Sequence, residues 1–87
     1  MNSATNSVRA AYKMVSSKTG LRNVKVNDLL RALVDQVSQA ESLAILAGEC
    51  RAHRANPTRG EPTLLTLEEK LNALRLGGER YYWIELL

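Results

Sequence analysis

The sequence predicts a small mixed α+β domain in which helices and short strands alternate along the chain. Two helix-start signals lie close together, at Asn27 and at Ser38, and a segment with two β-branched residues, 23–26, precedes them. An aromatic segment with the composition of a strand stands at 80–87. The 87 residues are enough for one domain with a modest core. The predicted order is α-β-α-α-β-α-β, with a short three-stranded antiparallel sheet.

The first helix is predicted over about residues 6–19, after a flexible segment at residues 1–5. Its apolar residues recur at helical spacing and form a single stripe made of Val8, Ala11, Tyr12 and Val15. Gly20 is placed to end the helix in a left-handed conformation. The segment 23–26 alternates valine with other residues and is therefore predicted to be the first strand.

Two helices separated by a short turn are predicted next. Asn27 can cap the first of them, and Asp28 places a negative charge at the positive end of the helix dipole. Ser38 and Glu41 have the spacing of a capping box, which would serve no purpose inside one continuous helix, so we place the break at 35–37. The buried residues predicted for the two helices are Leu29, Leu30, Leu33, Val34 and Val37, then Ala40, Leu43, Leu46, Ala47 and Cys50.

The rest of the chain is predicted to form a loop, a strand, a helix and a last strand. Segment 54–62 contains two prolines and a glycine and is predicted to be an exposed loop. A short strand over 63–66 leads into a helix over 67–76, and segment 80–87 forms the last strand. The limits of this helix are marked by a capping box and by a glycine pair, Thr66 with Glu69 and Gly77 with Gly78.

This order of elements resembles the winged-helix family over about residues 6–87. In that family the helix after the turn, here 39–54, enters the DNA major groove, and a hairpin forms a wing that contacts the DNA backbone. The sequence departs from the pattern because segment 67–76 reads as a helix instead of a basic wing. It departs again on the face of the 39–54 helix that is predicted to point outward, which carries Glu41, Ile45, Gly48, Glu49 and Ala52. Such a face lacks the donors that usually read base edges.

Basic residues are concentrated in two parts of the chain, which has a net charge of +3. Segment 1–27 holds five basic residues and no acidic one, and a second cluster follows at the end of the 39–54 helix. Two such patches can contact the phosphate backbone of a nucleic acid. The alternative is that these basic residues are simply exposed to solvent. The predicted nucleic-acid contacts are Arg9, Lys13, Lys18, Arg51, His53, Arg54 and Arg59.

No catalytic or metal-binding set is recognisable in the sequence. Cys50 and His53 are the only residues of their types, and no third group to orient them is evident. No apolar run is long enough to span a bilayer, and the first residues do not form a signal peptide. We therefore expect a cytoplasmic, non-enzymatic protein without a cofactor, a metal, a membrane association or a small-molecule substrate.

Our first hypothesis is a regulator of transcription or replication that binds double-stranded DNA mainly through phosphate contacts, with a homodimer as one form. The alternative is a winged-helix-like adaptor or inhibitor that binds a protein partner. Its binding surface would be Ile45 with Glu41 and Glu49, or the last strand with Tyr81 and Trp83. For Trp83, packing beneath the first helix is the competing interpretation.

Overall fold

The secondary structure comes from a computed structural model that describes residues 3–87. In chain order the elements are α1 (Ser3–Thr19), β1 (Val24–Lys25), α2 (Val26–Ala32), α3 (Gln39–Arg51), β2 (Ala55–Thr58), a 3-10 helix (Pro62–Leu64), α4 (Leu67–Leu71), β3 (Leu74–Leu76), β4 (Glu79–Tyr81) and β5 (Trp83–Leu86). The predicted flexible segment at 1–5 includes Met1 and Asn2, which lie outside the described residues. Residues 3–5 belong to α1.

The main sheet has three antiparallel strands, with β5 in the centre between β1 and β2. Val24 of β1 lies opposite Ile84, and Ala55 of β2 lies opposite Leu86. Strands β3 and β4 form a separate two-stranded hairpin. The predicted α+β class and its three-stranded antiparallel sheet are therefore confirmed.

The three longest helices and the sheet share one apolar core. The buried stripe of α1 is the predicted one, Val8, Ala11, Tyr12 and Val15. It packs in a cluster that includes Leu33 of α2, Leu46 of α3 and Ile84 of β5. Gly20 ends α1 with φ +73°, as predicted, and its amide donates to the Ser16 carbonyl at 2.8 Å.

The predicted break between the two central helices is confirmed, because α2 ends at Ala32 and α3 begins at Gln39. Ser38 caps α3, since its hydroxyl accepts from the Glu41 amide at 3.1 Å, but the reciprocal hydrogen bond of the predicted capping box, from the Ser38 amide to the Glu41 side chain, is not formed. Three details were wrong. Ala40, which was predicted to be buried, is exposed on α3. Asn27 is not a cap, since α2 begins one residue before it, and its side chain is buried against α4. Val34 lies beyond the end of α2 and is 73% exposed.

The predicted elements between 54 and 76 need correction. The supposed loop contains β2, which pairs with β5 even though it includes Pro57. A proline is tolerated there because β2 is an edge strand whose other side needs no partner. The predicted strand over 63–66 is replaced by the 3-10 helix, and the predicted helix over 67–76 ends at Leu71. The capping box of Thr66 and Glu69 is confirmed in both directions.

Gly77 and Gly78 form the turn of the β3–β4 hairpin and do not end a helix. Their φ angles of +58° and +83° suit a two-residue turn that matches the twist of the strands, and glycine adopts such angles without steric penalty. The predicted last strand is divided at Tyr82 into β4 and β5. Its alternation is confirmed, since Tyr82, Ile84 and Leu86 are all buried.

Ser42 provides a first test of this packing. Its side chain is fully buried, and its hydroxyl has no hydrogen-bond partner within residues 3–87. We expect Ser42→Ala to raise the free energy of unfolding by about 1 kcal/mol, because it removes a polar group that was desolvated without compensation. Urea denaturation of both proteins measures this difference.

The matched control is Ser38→Ala, which also removes a serine hydroxyl, here from the residue that precedes α3. Here the hydroxyl caps α3, so the free energy of unfolding should fall by about 1 kcal/mol. Equal losses in the two variants would contradict an unsatisfied hydroxyl at Ser42.

Candidate nucleic-acid interface

The β3–β4 hairpin carries two arginines directly opposite each other. The register pairs Arg75 with Arg80, Leu74 with Tyr81 and Leu76 with Glu79. Residues that are directly opposite in an antiparallel pair project to the same face, so both guanidinium groups leave the hairpin on one side. Both arginines are exposed, whereas Leu74 on the other face is buried.

No acidic residue compensates this pair. Within the described part of the chain, the ion pairs involve other basic residues, and neither Arg75 nor Arg80 forms a side-chain hydrogen bond. Like charges directly opposite each other on neighbouring strands repel and destabilise the pairing. The hairpin therefore presents a concentrated positive charge that an anion would stabilise.

The hairpin packs along one flank of α3. A cleft of about 390 Å³ between them is lined by Ala44 and Ala47 of α3 and by Arg75. A neighbouring cleft of about 290 Å³ is lined by Arg51 and by Gly77 at the hairpin turn. Arg51 follows Ala47 by one helical turn, roughly 6 Å along the axis. Arg51 is exposed and also lacks an ion pair within residues 3–87, so it extends the positive surface of the hairpin.

The outward face of α3 differs from the predicted one. Glu49 is only 5% exposed, and Ile45 is half-buried against the core, so the expectation that both point outward was wrong. Of the acidic residues predicted on this face, only Glu41 is exposed. The exposed residues of α3 are Gln39, Ala40, Glu41, Ala44 and Arg51. Two of these five side chains are alanines, and the other three are polar or charged.

Glu49 engages two of the arginines that were predicted to contact DNA. Its carboxylate accepts from the Arg54 guanidinium at 3.1 and 3.2 Å and also from Arg9. These hydrogen bonds, from Arg54 first, hold the pKa of Glu49 below its ordinary value despite the opposing effect of burial. Arg9 also donates to the Leu87 carbonyl at 3.4 Å. Arg9 and Arg54 thus have structural partners that link α1, α3 and the end of the sheet.

The other predicted nucleic-acid residues are distributed over separate parts of the surface. Arg59 pairs with Glu79 at 3.3 Å. Lys13 and Lys18 are exposed on α1, and His53 is exposed just after α3 with φ +61°. Of the predicted basic residues, Arg51 lies beside the turn of the β3–β4 hairpin, and the role of all of them in DNA binding stays a prediction.

The aromatic residues predicted for partner binding are both half-buried. Tyr81 packs against the main core. Trp83 does not lie beneath α1; its ring packs against a small cluster formed by Leu65, Ala73 and Tyr82. The role of either residue in partner binding stays a prediction.

Sequence reasoning missed Arg75 and Arg80. The segment LRLGGERY contained a usable signal, because two glycines between alternating apolar and polar residues are typical of a tight hairpin. The interpretation of 67–76 as a helix concealed this alternation.

The side chains of Cys50 and His53 form no hydrogen bond with each other in the described part of the chain. Cys50 is half-buried, and burial raises the pKa of its thiol, which disfavours the reactive thiolate. Across residues 3–87, no group of three or more His, Cys, Asp or Glu side chains is positioned to hold a metal ion. The helices in that range are too short or too polar to cross a bilayer.

No protein-family model, curated protein or solved structure matches this chain. Its function must therefore be inferred from its own side chains.

Proposed function

We propose that this protein is a non-enzymatic binder of double-stranded DNA that contacts phosphates through the β3–β4 hairpin and the end of α3. The observation that carries the proposal is the exposed pair of Arg75 and Arg80, which lie opposite each other and form no ion pair within residues 3–87. Arg51 on the adjacent flank of α3 supplies a third cation. In terms of the winged-helix resemblance, the hairpin acts as the wing.

Phosphate binding explains why repelling charges are tolerated at these positions. A phosphate oxygen between two guanidinium groups accepts charge-assisted hydrogen bonds from both and removes their mutual repulsion. The small side chains Ala40 and Ala44 on α3 allow a DNA backbone to approach closely, but they supply no donors that distinguish bases. The proposed mechanism is occupancy of DNA with little sequence preference.

The test is fluorescence anisotropy with a labelled random-sequence duplex, titrated over a range of salt concentrations. Three phosphate contacts predict a slope of about −2.7 for the logarithm of the binding constant against the logarithm of the salt concentration. We expect Arg75→Gln combined with Arg80→Gln to weaken binding about tenfold or more at low salt and to reduce the slope to about −1.

The matched control removes two positive charges from α1, through Lys13→Gln combined with Lys18→Gln. Both lysines are exposed and lie away from the hairpin clefts, so the slope should change little. Absence of binding at low salt would refute the proposal. Equal losses of DNA affinity in the two double variants would show that binding depends only on the net charge of the protein.

Binding of a protein partner is the second candidate function, and an exposed leucine ridge favours it. Leu64, Leu67 and Leu71 are 80%, 73% and 71% exposed, which is unusual for three leucines so close in sequence. A partner that is captured by the wild-type protein and lost with Leu67→Gln combined with Leu71→Gln would support it. Retention of every captured protein by the double variant would exclude the ridge as the contact.

A further inference from the structure

A cavity lined by Trp83 lies on the surface of the described part of the chain. It has a volume of about 530 Å³ and opens to solvent between the segment after α1 and the 3-10 helix. Its apolar walls are formed by Leu21, Leu64, Leu65 and the indole of Trp83. Leu21 and Leu64 are largely exposed, so an apolar ligand in this cavity would remove their side chains from water.

The cavity wall carries an uncompensated cation, and a buried donor without an acceptor lies behind it. Arg22 lines the cavity, is exposed and forms no ion pair among residues 3–87. The indole Nε1 of Trp83 is buried and has no acceptor in that range. Buried indole donors usually have a partner. Arg22 and Trp83 therefore both lack an acceptor oxygen.

The acidic and basic neighbours indicate which ligand charge suits the site. Lys25 lies 5.5 Å from the centroid of the Trp83 ring, and its charge is already balanced by Glu69 at 2.7 Å. Glu61 also lines the cavity, but its carboxylate accepts from the Thr63 hydroxyl at 2.9 Å. Glu61 forms no ion pair within residues 3–87, and Arg22 is the basic lining residue whose charge is not balanced by an acid.

We propose that this cavity binds a small amphipathic carboxylate, with its apolar body against Leu64, Leu65 and Trp83 and its carboxylate at Arg22. The Arg22 backbone is held in place, because its carbonyl accepts from the Tyr12 hydroxyl at 2.5 Å. The Nε1 of Trp83 lies beneath Gly60, so a ligand oxygen reaches it only when the segment around Gly60 shifts outward. The site does not depend on the proposed DNA interface, which involves other residues.

The experiment uses octanoate as the probe and the emission of Trp83 as a native reporter, since the chain has a single tryptophan. Isothermal titration calorimetry gives the affinity independently of the emission. Octanol and octylamine have the same apolar chain with a neutral and a positive end. We expect saturable octanoate binding that changes the Trp83 emission, with octanol and octylamine about tenfold weaker.

Arg22→Gln should weaken octanoate binding about threefold to tenfold and reduce its advantage over octanol. Lys13→Gln, an equal change of charge on the exposed face of α1, should have no such effect. Arg75→Gln combined with Arg80→Gln should also leave octanoate binding unchanged, which separates this site from the DNA proposal.

Three results would overturn the inference. The first is a lack of saturable octanoate binding by calorimetry, and the second is equal affinity for octanol, which would leave no role for the carboxylate. The third is an equal loss with Lys13→Gln and Arg22→Gln, which would indicate attraction to net charge alone.

Discussion

Glu49→Gln is expected to lower the free energy of unfolding at neutral pH by about 2–3 kcal/mol. Glu49 is buried, and its two oxygens accept hydrogen bonds from both Arg54 and Arg9. A glutamine has a single acceptor oxygen, and its NH2 group would face a guanidinium donor. Urea denaturation monitored by circular dichroism measures the loss.

The same carboxylate makes stability depend on pH. Because the pKa of Glu49 is lowered in the fold, mainly by Arg54, its stabilising contribution is present above its ordinary value of 4.5 and is lost as the pH falls below that value. The glutamine variant should lose less stability between neutral and acidic pH than the wild type. Part of the acid sensitivity should persist, because Lys25 lowers the pKa of Glu69 and Asn27 lowers that of Glu68.

Glu79→Gln is the control for the loss of a carboxylate. Glu79 forms an exposed ion pair with Arg59, and such pairs contribute little to stability. Its removal should leave the unfolding curve almost unchanged. A loss as large as that of Glu49→Gln would mean that removal of net negative charge, and not the buried hydrogen bonds, explains both results.

Gly60→Ala is expected to lower the free energy of unfolding by about 2–3 kcal/mol. Gly60 has φ +62°, and an added Cβ would lie 2.4 Å from Nε1 of Trp83. Both the backbone strain and the steric overlap oppose the native arrangement of this segment. The emission of Trp83 should change as well, because the indole or the segment above it must move.

Gly20→Ala separates these two effects. Gly20 has a similar φ of +73°, but an added Cβ would meet no atom within 4 Å. Only the backbone strain applies there. We therefore expect the free energy of unfolding to fall by about 1 kcal/mol and the Trp83 emission to stay unchanged. Equal losses of unfolding free energy in the two variants would show that the Trp83 side chain moves away from the new methyl group at little energetic cost.

The features that could be predicted from the sequence are those fixed by neighbouring residues. The α1 stripe and the cap at Ser38 depend on spacings of three or four residues, and both are present as predicted. The position of the Asn27 side chain depends on distant residues instead. Its side chain donates to Glu68 at 2.9 Å and accepts from Asn72 at 2.7 Å, contacts that span more than forty positions and have no local signal.

The candidate site was predictable only in part for the same reason. Arg51 was identified from its local basic cluster. The burial of Glu49 was not foreseeable, because it follows from a contact with Arg9, which lies forty positions earlier. Strand β2 was missed because its proline suggested a loop, and only its position at the edge of the sheet makes that proline acceptable.

The central position of β5 has a consequence for synthesis on the ribosome. Strands β1 and β2 each pair with β5 and not with each other, so neither has its sheet partner until residues 83–86 have been translated. The nascent chain must therefore leave the exit tunnel with both strand edges open and Val24 and Ala55 unshielded. Contacts this distant in sequence form late and slowly, which makes the interval before residues 83–86 emerge the period of greatest exposure to aggregation or chaperone capture.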